Sequence, residues 1–154
     1  MNVEIVYFPE TKVAVVEHKG PPGLEHQSIK RLIEWQVENK LPPSAKHRNY
    51  GLHYNDPHKV RPEEYRVDIC ISVDEEISPN SYNVINKVIP ACRCAKARHN
   101  GSRDNVTTAK YLYETWLPAS GEKFADLPII FHYVNVGPDV QEHEMITDVY
   151  LPLV

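Results

Sequence analysis

One segment of the chain occurs twice, as Val15-Val16-Glu17-His18-Lys19-Gly20-Pro21 and again, in altered form, as Lys96-Ala97-Arg98-His99-Asn100-Gly101-Ser102. The histidines of the two copies are 81 residues apart, and so are Trp35 and Trp116. Two further pairs keep the same order: Leu52-His53-Tyr54 with Phe131-His132-Tyr133 at an offset of 79, and Asp68 with Asp148 at an offset of 80. Recurrence at a nearly constant spacing is the signature of an internal repeat. The sequence therefore predicts duplicated halves, at about residues 1–75 and 76–154.

Each half is predicted to form a strand, a helix and two further strands. Residues 12–18 and 92–99 are short runs rich in Val, Ala and Cys, and a glycine follows each, as is typical of strands. Apolar residues then recur at intervals of three to four over residues 24–39 and 103–117, which predicts two amphipathic helices.

The last strand of each half alternates in character. In the second half, Val149 and Leu151 share one face, whereas Asp148 and Tyr150 share the other. The aliphatic face is expected to pack on a helix, so the face with Tyr150 is free to line a concavity. The sequence thus predicts an α+β fold in which two βαββ units, related by a pseudo-twofold axis, form an antiparallel sheet with helices on one side and a central ligand groove.

Composition limits the possible partners. The chain has 154 residues, 42% of them hydrophobic, which is enough for one domain with one core. Its net charge of −4, with scattered Lys and Arg, gives no basic surface for nucleic acid, so direct nucleic-acid binding is not expected. We expect no membrane segment and a cytoplasmic location, because no apolar stretch is long enough to cross a bilayer and no signal peptide is recognisable.

No cofactor or metal site is complete in the sequence. Cys92 and Cys94 share one strand face, yet no second cysteine pair or histidine stands at metal-ligand spacing. Phosphate loops, nucleophile elbows and dinucleotide fingerprints are not found either. We therefore expect no metal and no cofactor.

The sequence resembles the GyrI-like domains, also called AraC-type or bacterial transcription-activator effector-binding domains. The matching segments cover nearly the whole chain and are His18-Lys19-Gly20-Pro21, Gly51-Leu52-His53-Tyr54-Asn55-Asp56-Pro57, Tyr65-Arg66-Val67-Asp68-Ile69-Cys70-Ile71, Arg98-His99-Asn100-Gly101-Ser102, Tyr113-Glu114-Thr115-Trp116-Leu117-Pro118-Ala119-Ser120-Gly121 and Thr147-Asp148-Val149-Tyr150-Leu151-Pro152-Leu153.

The resemblance implies a single domain over residues 1–154, duplicated βαββ halves, and a central cleft for hydrophobic, often cationic, small molecules. It also implies a stand-alone member, because the domain uses the whole length without a helix-turn-helix. One position departs from the family pattern: His132 stands where relatives usually carry a Glu that neutralises a cationic ligand. That replacement weakens the expectation of a strong preference for cations and of the hydrolytic activity that depends on this Glu in some relatives.

Six side chains are candidates for the ligand groove. Trp116 and His132 occupy positions that the resemblance assigns to the pocket, and Tyr150 has both the strand pattern and the resemblance behind it. Three further candidates are Tyr54, Tyr133 and His53, the last as the expected symmetry mate of His132. Asp68 and Asp148 are paired by the repeat, and we expect them to serve the structure, for example by accepting backbone hydrogen bonds, rather than to act as an acid and base pair.

Three functions remain open. The first is a binding module that senses or sequesters a small amphipathic, possibly cationic, organic molecule, working with a protein partner that the sequence does not identify. The second is a small hydrolase in the same groove with His132 as general base, for which the sequence shows no orienting partner. The third is a gyrase-inhibitor-like protein that acts through its surface. The incomplete catalytic set favours the binding module, so we expect no catalytic residues.

Overall fold

The computed structural model describes residues 1–154 and confirms the α+β class. Eight antiparallel strands form one sheet: β1 (Val3–Phe8), β2 (Thr11–Lys19), β3 (Asn49–His53), β4 (Arg66–Ser72), β5 (Ile85–Ile89), β6 (Cys92–Asn100), β7 (Ile129–Tyr133) and β8 (Ile146–Leu153). Helix α1 (Glu25–Glu38) follows β2, and a second helical segment follows β6. That segment consists of α2 (Thr108–Tyr111), a π-helical turn (Leu112–Trp116) and α3 (Leu117–Ser120).

The two halves of the sheet have the same strand order. The order β1-β6-β8-β7-β3-β4-β2-β5 is symmetric about the boundary between β7 and β3. The first strand of each half pairs with a strand of the other half. Strand β1 pairs with β6, with Phe8 opposite Cys92, and β5 pairs with β2, with Ile89 opposite Thr11. The two pairings have the same register once the offset of 81 residues is applied. We infer a duplication from this agreement, and the repeating unit then includes an additional, exchanged first strand.

This exchange curls the sheet. Pro9-Glu10 joins β1 to β2 and Pro90-Ala91 joins β5 to β6, although the joined strands lie at opposite ends of the strand order. Because a two-residue link spans only about 11 Å, the two ends of the sheet must approach each other at these links. The concave face so formed encloses a hydrophobic cluster, whose buried members are Phe8, Val13, Val15, Tyr50, Leu52, Cys70, Ile89, Cys92, Cys94 and Ile130.

The convex face carries the helices, as the alternating strands predict. Leu32 and Trp35 of α1 pack with the aliphatic residues Ala14, Val16 and Ile71. Buried Leu112 packs in the same way in the second half, with Ala95, Ala97, Val149, Leu151 and Leu153. No helix of this chain has the length and apolar character needed to cross a membrane.

The second helix begins later and is less regular than the sequence predicts. Residues 103–105 form a separate 3₁₀ turn, and the helix starts only at Thr108. The π-helical turn directly precedes Pro118, which lies in the first turn of α3. Proline has no N–H to donate, and its ring collides with the carbonyl four residues earlier in an α-helix. A π-helical turn changes the hydrogen-bond register at this point and so allows the chain to remain helical.

Candidate functional site

The six predicted site residues lie on two faces of the sheet. His132 is directly opposite Tyr50, a member of the concave cluster, and Tyr150 also packs against that cluster. Tyr54 reaches the same face, because its hydroxyl donates to Asp68 at 2.7 Å. Tyr133 follows His132 in β7, so its side chain lies on the convex face, together with His53 and Trp116. The prediction that one pocket is lined by Trp116, His132 and Tyr150, together with Tyr54 and Tyr133, is therefore wrong, because the sheet separates them.

The predicted symmetry between His53 and His132 is also wrong, by one residue. Leu52 lies opposite Asp68 and His132 lies opposite Asp148, so the pairing relates Leu52 to His132 at an offset of 80. His53 then corresponds to Tyr133. A shift of one residue along a strand moves a side chain to the other face, which is why the offset of 79 misplaced this histidine.

Aromatic side chains fill the concave face. The rings of Tyr50 and His132 lie 4.9 Å apart, and Phe8 of the exchanged strand packs edge-on against Tyr150 at 5.1 Å and Tyr50 at 5.8 Å. A cavity beside Cys92 has a volume of about 20 Å³. This is room for about one water molecule, not for an organic ligand.

The two repeated aspartates accept side-chain hydrogen bonds, so the expectation of backbone partners is wrong. Asp68 Oδ2 accepts from Tyr54 Oη at 2.7 Å and from Lys87 Nζ at 2.8 Å. Asp148 binds the Arg98 guanidinium through both oxygens, at 2.8 Å and 3.0 Å. Both aspartates are buried, and each is matched by a cation on the concave face.

His132 is not placed as a charged ligand group. Burial lowers its pKa, and the positive charges of Arg48, Lys96 and Arg98 lower it further, whereas Asp148 acts in the opposite direction. The net effect is a lowered pKa, so the imidazole is neutral at pH 7. The hydrolase alternative needs a partner that orients this histidine, and its ring neighbour is the aromatic side chain of Tyr50.

The convex face has an uncovered strip between the helices, which we call the interhelical groove. Helix α1 contacts β2 and β4, and α2 contacts β6 and β8, so the central strands β3 and β7 lie beneath the gap. Four residues of these two strands form the floor of the groove: Gly51, His53, Phe131 and Tyr133.

Two polar atoms converge on the floor where Gly51 has no side chain. A Cβ atom on Gly51 would lie 2.9 Å from Tyr133 Oη and 3.2 Å from His53 Nε2. His53 Nε2 is buried and has no hydrogen-bond partner, and the His53 ring packs at a tilt against Phe131, with the ring centroids 4.1 Å apart. Burial lowers the pKa of His53 to about 4, so the ring is neutral at pH 7. The imidazole of His53 is thus neutral, and its unpartnered nitrogen lies buried just beneath the groove surface.

A carboxylate lies at one end of the groove. Glu25, the first residue of α1, accepts a hydrogen bond from Tyr65 Oη at 2.6 Å. Burial raises the pKa of Tyr133, and the negative charge of Glu25 raises it further. The guanidinium of Arg103 lies 5.2 Å from the Tyr133 ring, and it donates to Thr147 Oγ1 and to the carbonyls of residues 135 and 146. Arg103 is therefore already engaged by protein acceptors.

Apolar side chains continue from Glu25 along α1. Ile29 and Ile33 follow at spacings of four residues, so they lie on the same side of the helix as Glu25. They are 38% and 52% exposed. On the second helix, half-buried Trp116 packs against the same cluster as Phe131. Exposed apolar surface beside a partly polar groove is a feature of ligand-binding sites.

The residues of this site that were not predicted from the sequence include Glu25, Tyr65 and Gly51. The first two come together only through the packing of α1 on the sheet, and no local pattern marks them. Gly51 did leave a signal, because a glycine inside a strand often marks a place where another group approaches closely.

Comparison with known proteins agrees with this architecture. The sequence matches the family described as GyrI-like small molecule binding domain over residues 1–154. The probable transcriptional regulator YgiV of Escherichia coli (strain K12) is 40% identical to this chain over 154 residues, which cover 99% of this chain and 96% of YgiV.

Two solved structures show the same fold. The C-terminal domain of EcmrR has a TM-score of 0.77 at 18% identity, with 99% of this chain and 97% of that chain covered. SAV2435 bound to tetraphenylphosphonium has a TM-score of 0.59 at 10% identity, with 100% of this chain and 94% of that chain covered. The family match over all residues and the identity to YgiV lead to one conclusion: the chain belongs to the family of GyrI-like small molecule binding domains.

Proposed function

We propose that this protein binds an amphipathic organic cation in the interhelical groove and thereby senses or sequesters it. One observation carries the proposal: buried His53 Nε2 has no partner and converges with Tyr133 Oη over Gly51. A buried polar atom without a hydrogen bond costs about 1–3 kcal/mol, and a ligand group that bonds to it removes that cost. The groove floor is therefore suited to a guest with a polar group.

The side chains around the groove indicate that the remainder of the guest is apolar. Ile29 and Ile33 supply exposed aliphatic surface, and Phe131 supplies an aromatic ring on the floor. Aliphatic and aromatic surfaces favour an apolar body that leaves water on binding. A molecule with an apolar body and one polar or charged group is thus complementary to the groove.

The charges favour a cation. Glu25 supplies a carboxylate beside the phenol rings of Tyr65 and Tyr133, and aromatic faces attract cations. His53 adds no opposing charge because its pKa is about 4, so the one opposing charge beside Tyr133 is the Arg103 guanidinium, which donates to Thr147 and to backbone carbonyls. In this proposal the carboxylate is Glu25 on the convex face, whereas the resemblance places a carboxylate at position 132, which lies on the concave face. The related fold of SAV2435, which binds tetraphenylphosphonium, is consistent with such a guest.

Isosteric probes of opposite charge test the charge preference of the groove; neither probe has a group that can hydrogen-bond to His53 Nε2. Tetraphenylphosphonium and tetraphenylborate have nearly the same shape, so a difference between them reports charge alone. We expect tetraphenylphosphonium to stabilise the fold by about 2.7 kcal/mol at 100 times its Kd, and tetraphenylborate to bind at least tenfold more weakly. Thermal unfolding and isothermal titration calorimetry measure both quantities.

Glu25→Gln should weaken tetraphenylphosphonium binding about tenfold, or ~1.4 kcal/mol, and bring its affinity closer to that of tetraphenylborate. Glu10→Gln, which alters an exposed carboxylate in the link between β1 and β2, is the matched control and should bind as the unchanged protein does. The proposal is wrong if neither probe binds, or if the borate binds as tightly as the phosphonium.

A further inference from the structure

A second cavity lies outside the interhelical groove, where the end of α1 meets the segment that links the two halves. Its volume is about 590 Å³, within the range of about 300–1,000 Å³ that small-molecule sites occupy. We call it the linker cavity. Its lining residues come from residues 35–41 on one side and from residues 73–81, which follow β4, on the other.

The floor of the linker cavity is apolar. Trp35 is 6% exposed, and three aliphatic side chains accompany it: Leu41, Val73 and Ile77. The indole N–H of Trp35 donates no hydrogen bond within the protein. It is also not fully buried. An indole ring on a cavity floor can stack on the apolar part of a guest, and its face also attracts a cation.

The rim of the linker cavity is acidic. Glu38, Glu75 and Glu76 line it, and none of the lining residues is Lys or Arg. Glu76 is paired with Lys12 at 2.7 Å, whereas the other two carboxylates form no ion pair. The negative charge of Glu38 also raises the pKa of the neighbouring Tyr82. The rim thus holds two uncompensated carboxylates above an aromatic floor.

We propose that the linker cavity is a second ligand site, which binds an organic ammonium or guanidinium ion through its charged rim and the apolar part of that ion through Trp35. The site is separate from the groove. Trp35 and Glu38 lie at the opposite end of α1 from Glu25, and the linker residues pack near β2 and β5 rather than near β3 and β7.

Tryptophan fluorescence tests the linker cavity directly. The chain has two tryptophans, so Trp116→Phe leaves Trp35 as the sole indole reporter. We expect 4-phenylbutylammonium to cause a saturable change in Trp35 emission, and 4-phenylbutanol, which has the same apolar part without the charge, to bind at least tenfold more weakly. Circular dichroism of the Trp116→Phe protein checks that it is folded.

Two charge-neutralising substitutions decide whether the rim is responsible. Glu38→Gln with Glu75→Gln alters exposed residues only, so the fold should be unaffected, and ammonium affinity should fall at least tenfold. Glu10→Gln with Glu63→Gln, also exposed, is the matched control and should leave the affinity unchanged. Equal binding of the alcohol, full affinity in the rim variant, or no saturable signal would each overturn the proposal. Tetraphenylphosphonium binding by the rim variant with Trp116 present reports the groove separately.

Discussion

Replacing Lys87 with methionine is expected to lower the free energy of unfolding by about 3–5 kcal/mol at pH 7. Asp68 is fully buried, its Oδ1 has no partner, and its Oδ2 is held by Lys87 Nζ at 2.8 Å. Burial lowers the pKa of Lys87, but hydrogen bonds to Asp68 and Glu17 outweigh this effect and raise it overall. Loss of the ammonium group would leave a buried carboxylate without its cation, which is far costlier than the loss of a surface ion pair.

The second half provides a matched control for Lys87. Lys96→Met removes a lysine 3.6 Å from Asp148, but Arg98 still binds both oxygens of that aspartate. This variant should therefore lose less than about 1 kcal/mol. Urea unfolding measures both changes, and Asp68→Asn should recover most of the loss in the Lys87→Met protein. Equal losses in the two lysine variants would show that the exchanged strand β5 does not depend on this ion pair.

Acid should destabilise the protein through His53. The pKa of this histidine is lowered by burial from 6.5 to about 4 in the folded state. Below pH 6.5 the unfolded chain binds a proton at this position, whereas the folded protein does so only near pH 4. The stabilisation from neutral His53 is therefore present above pH 6.5 and is lost as the pH falls to 4, by up to about 3 kcal/mol.

The contribution of His53 is the difference between two pH profiles of unfolding free energy. His53→Phe keeps a ring on Phe131 but cannot be protonated, so its profile should be flatter than that of the unchanged protein between pH 6.5 and 4. His58→Gln removes an exposed histidine and should leave the profile unchanged. Parallel profiles for the unchanged protein and His53→Phe would mean that His53 is as easily protonated in the folded state as in the unfolded chain.

The sequence predicts much of this fold because the repeat marks strands and helices twice. The exchanged strands β1 and β5 were not predicted, and the reason is physical. Ile5 and Tyr7 of β1 are 45% and 72% exposed, and Val88 of β5 is 54% exposed, so an apolar residue in these strands does not imply a buried face. Both strands also pair with the other half of the chain, which no local pattern reveals.

The site was predicted less well than the fold. The alternation of residue types along β8 correctly places Tyr150 and Val149 on opposite faces of the sheet. It does not reveal that Phe8, from an exchanged strand, occupies the concave face. Because the repeat of Leu52-His53-Tyr54 was aligned at an offset of 79 instead of 80, His53 was predicted on the wrong face of the sheet. Tyr133 and His53, which the sequence ranked below His132 and Tyr150, are the candidates that meet in the groove.

The central claim is that the guest binds where Tyr133 Oη and His53 Nε2 converge over Gly51. Titration calorimetry of tetraphenylphosphonium against Gly51→Ala and Gly23→Ala tests it most directly. The methyl group at position 51 would lie 2.9 Å from the Tyr133 hydroxyl and so displace it, whereas a methyl group at position 23 meets only open space. We predict at least tenfold weaker binding for Gly51→Ala and unchanged binding for Gly23→Ala. Equal affinity of the two folded variants would contradict the assignment of the ligand to the interhelical groove.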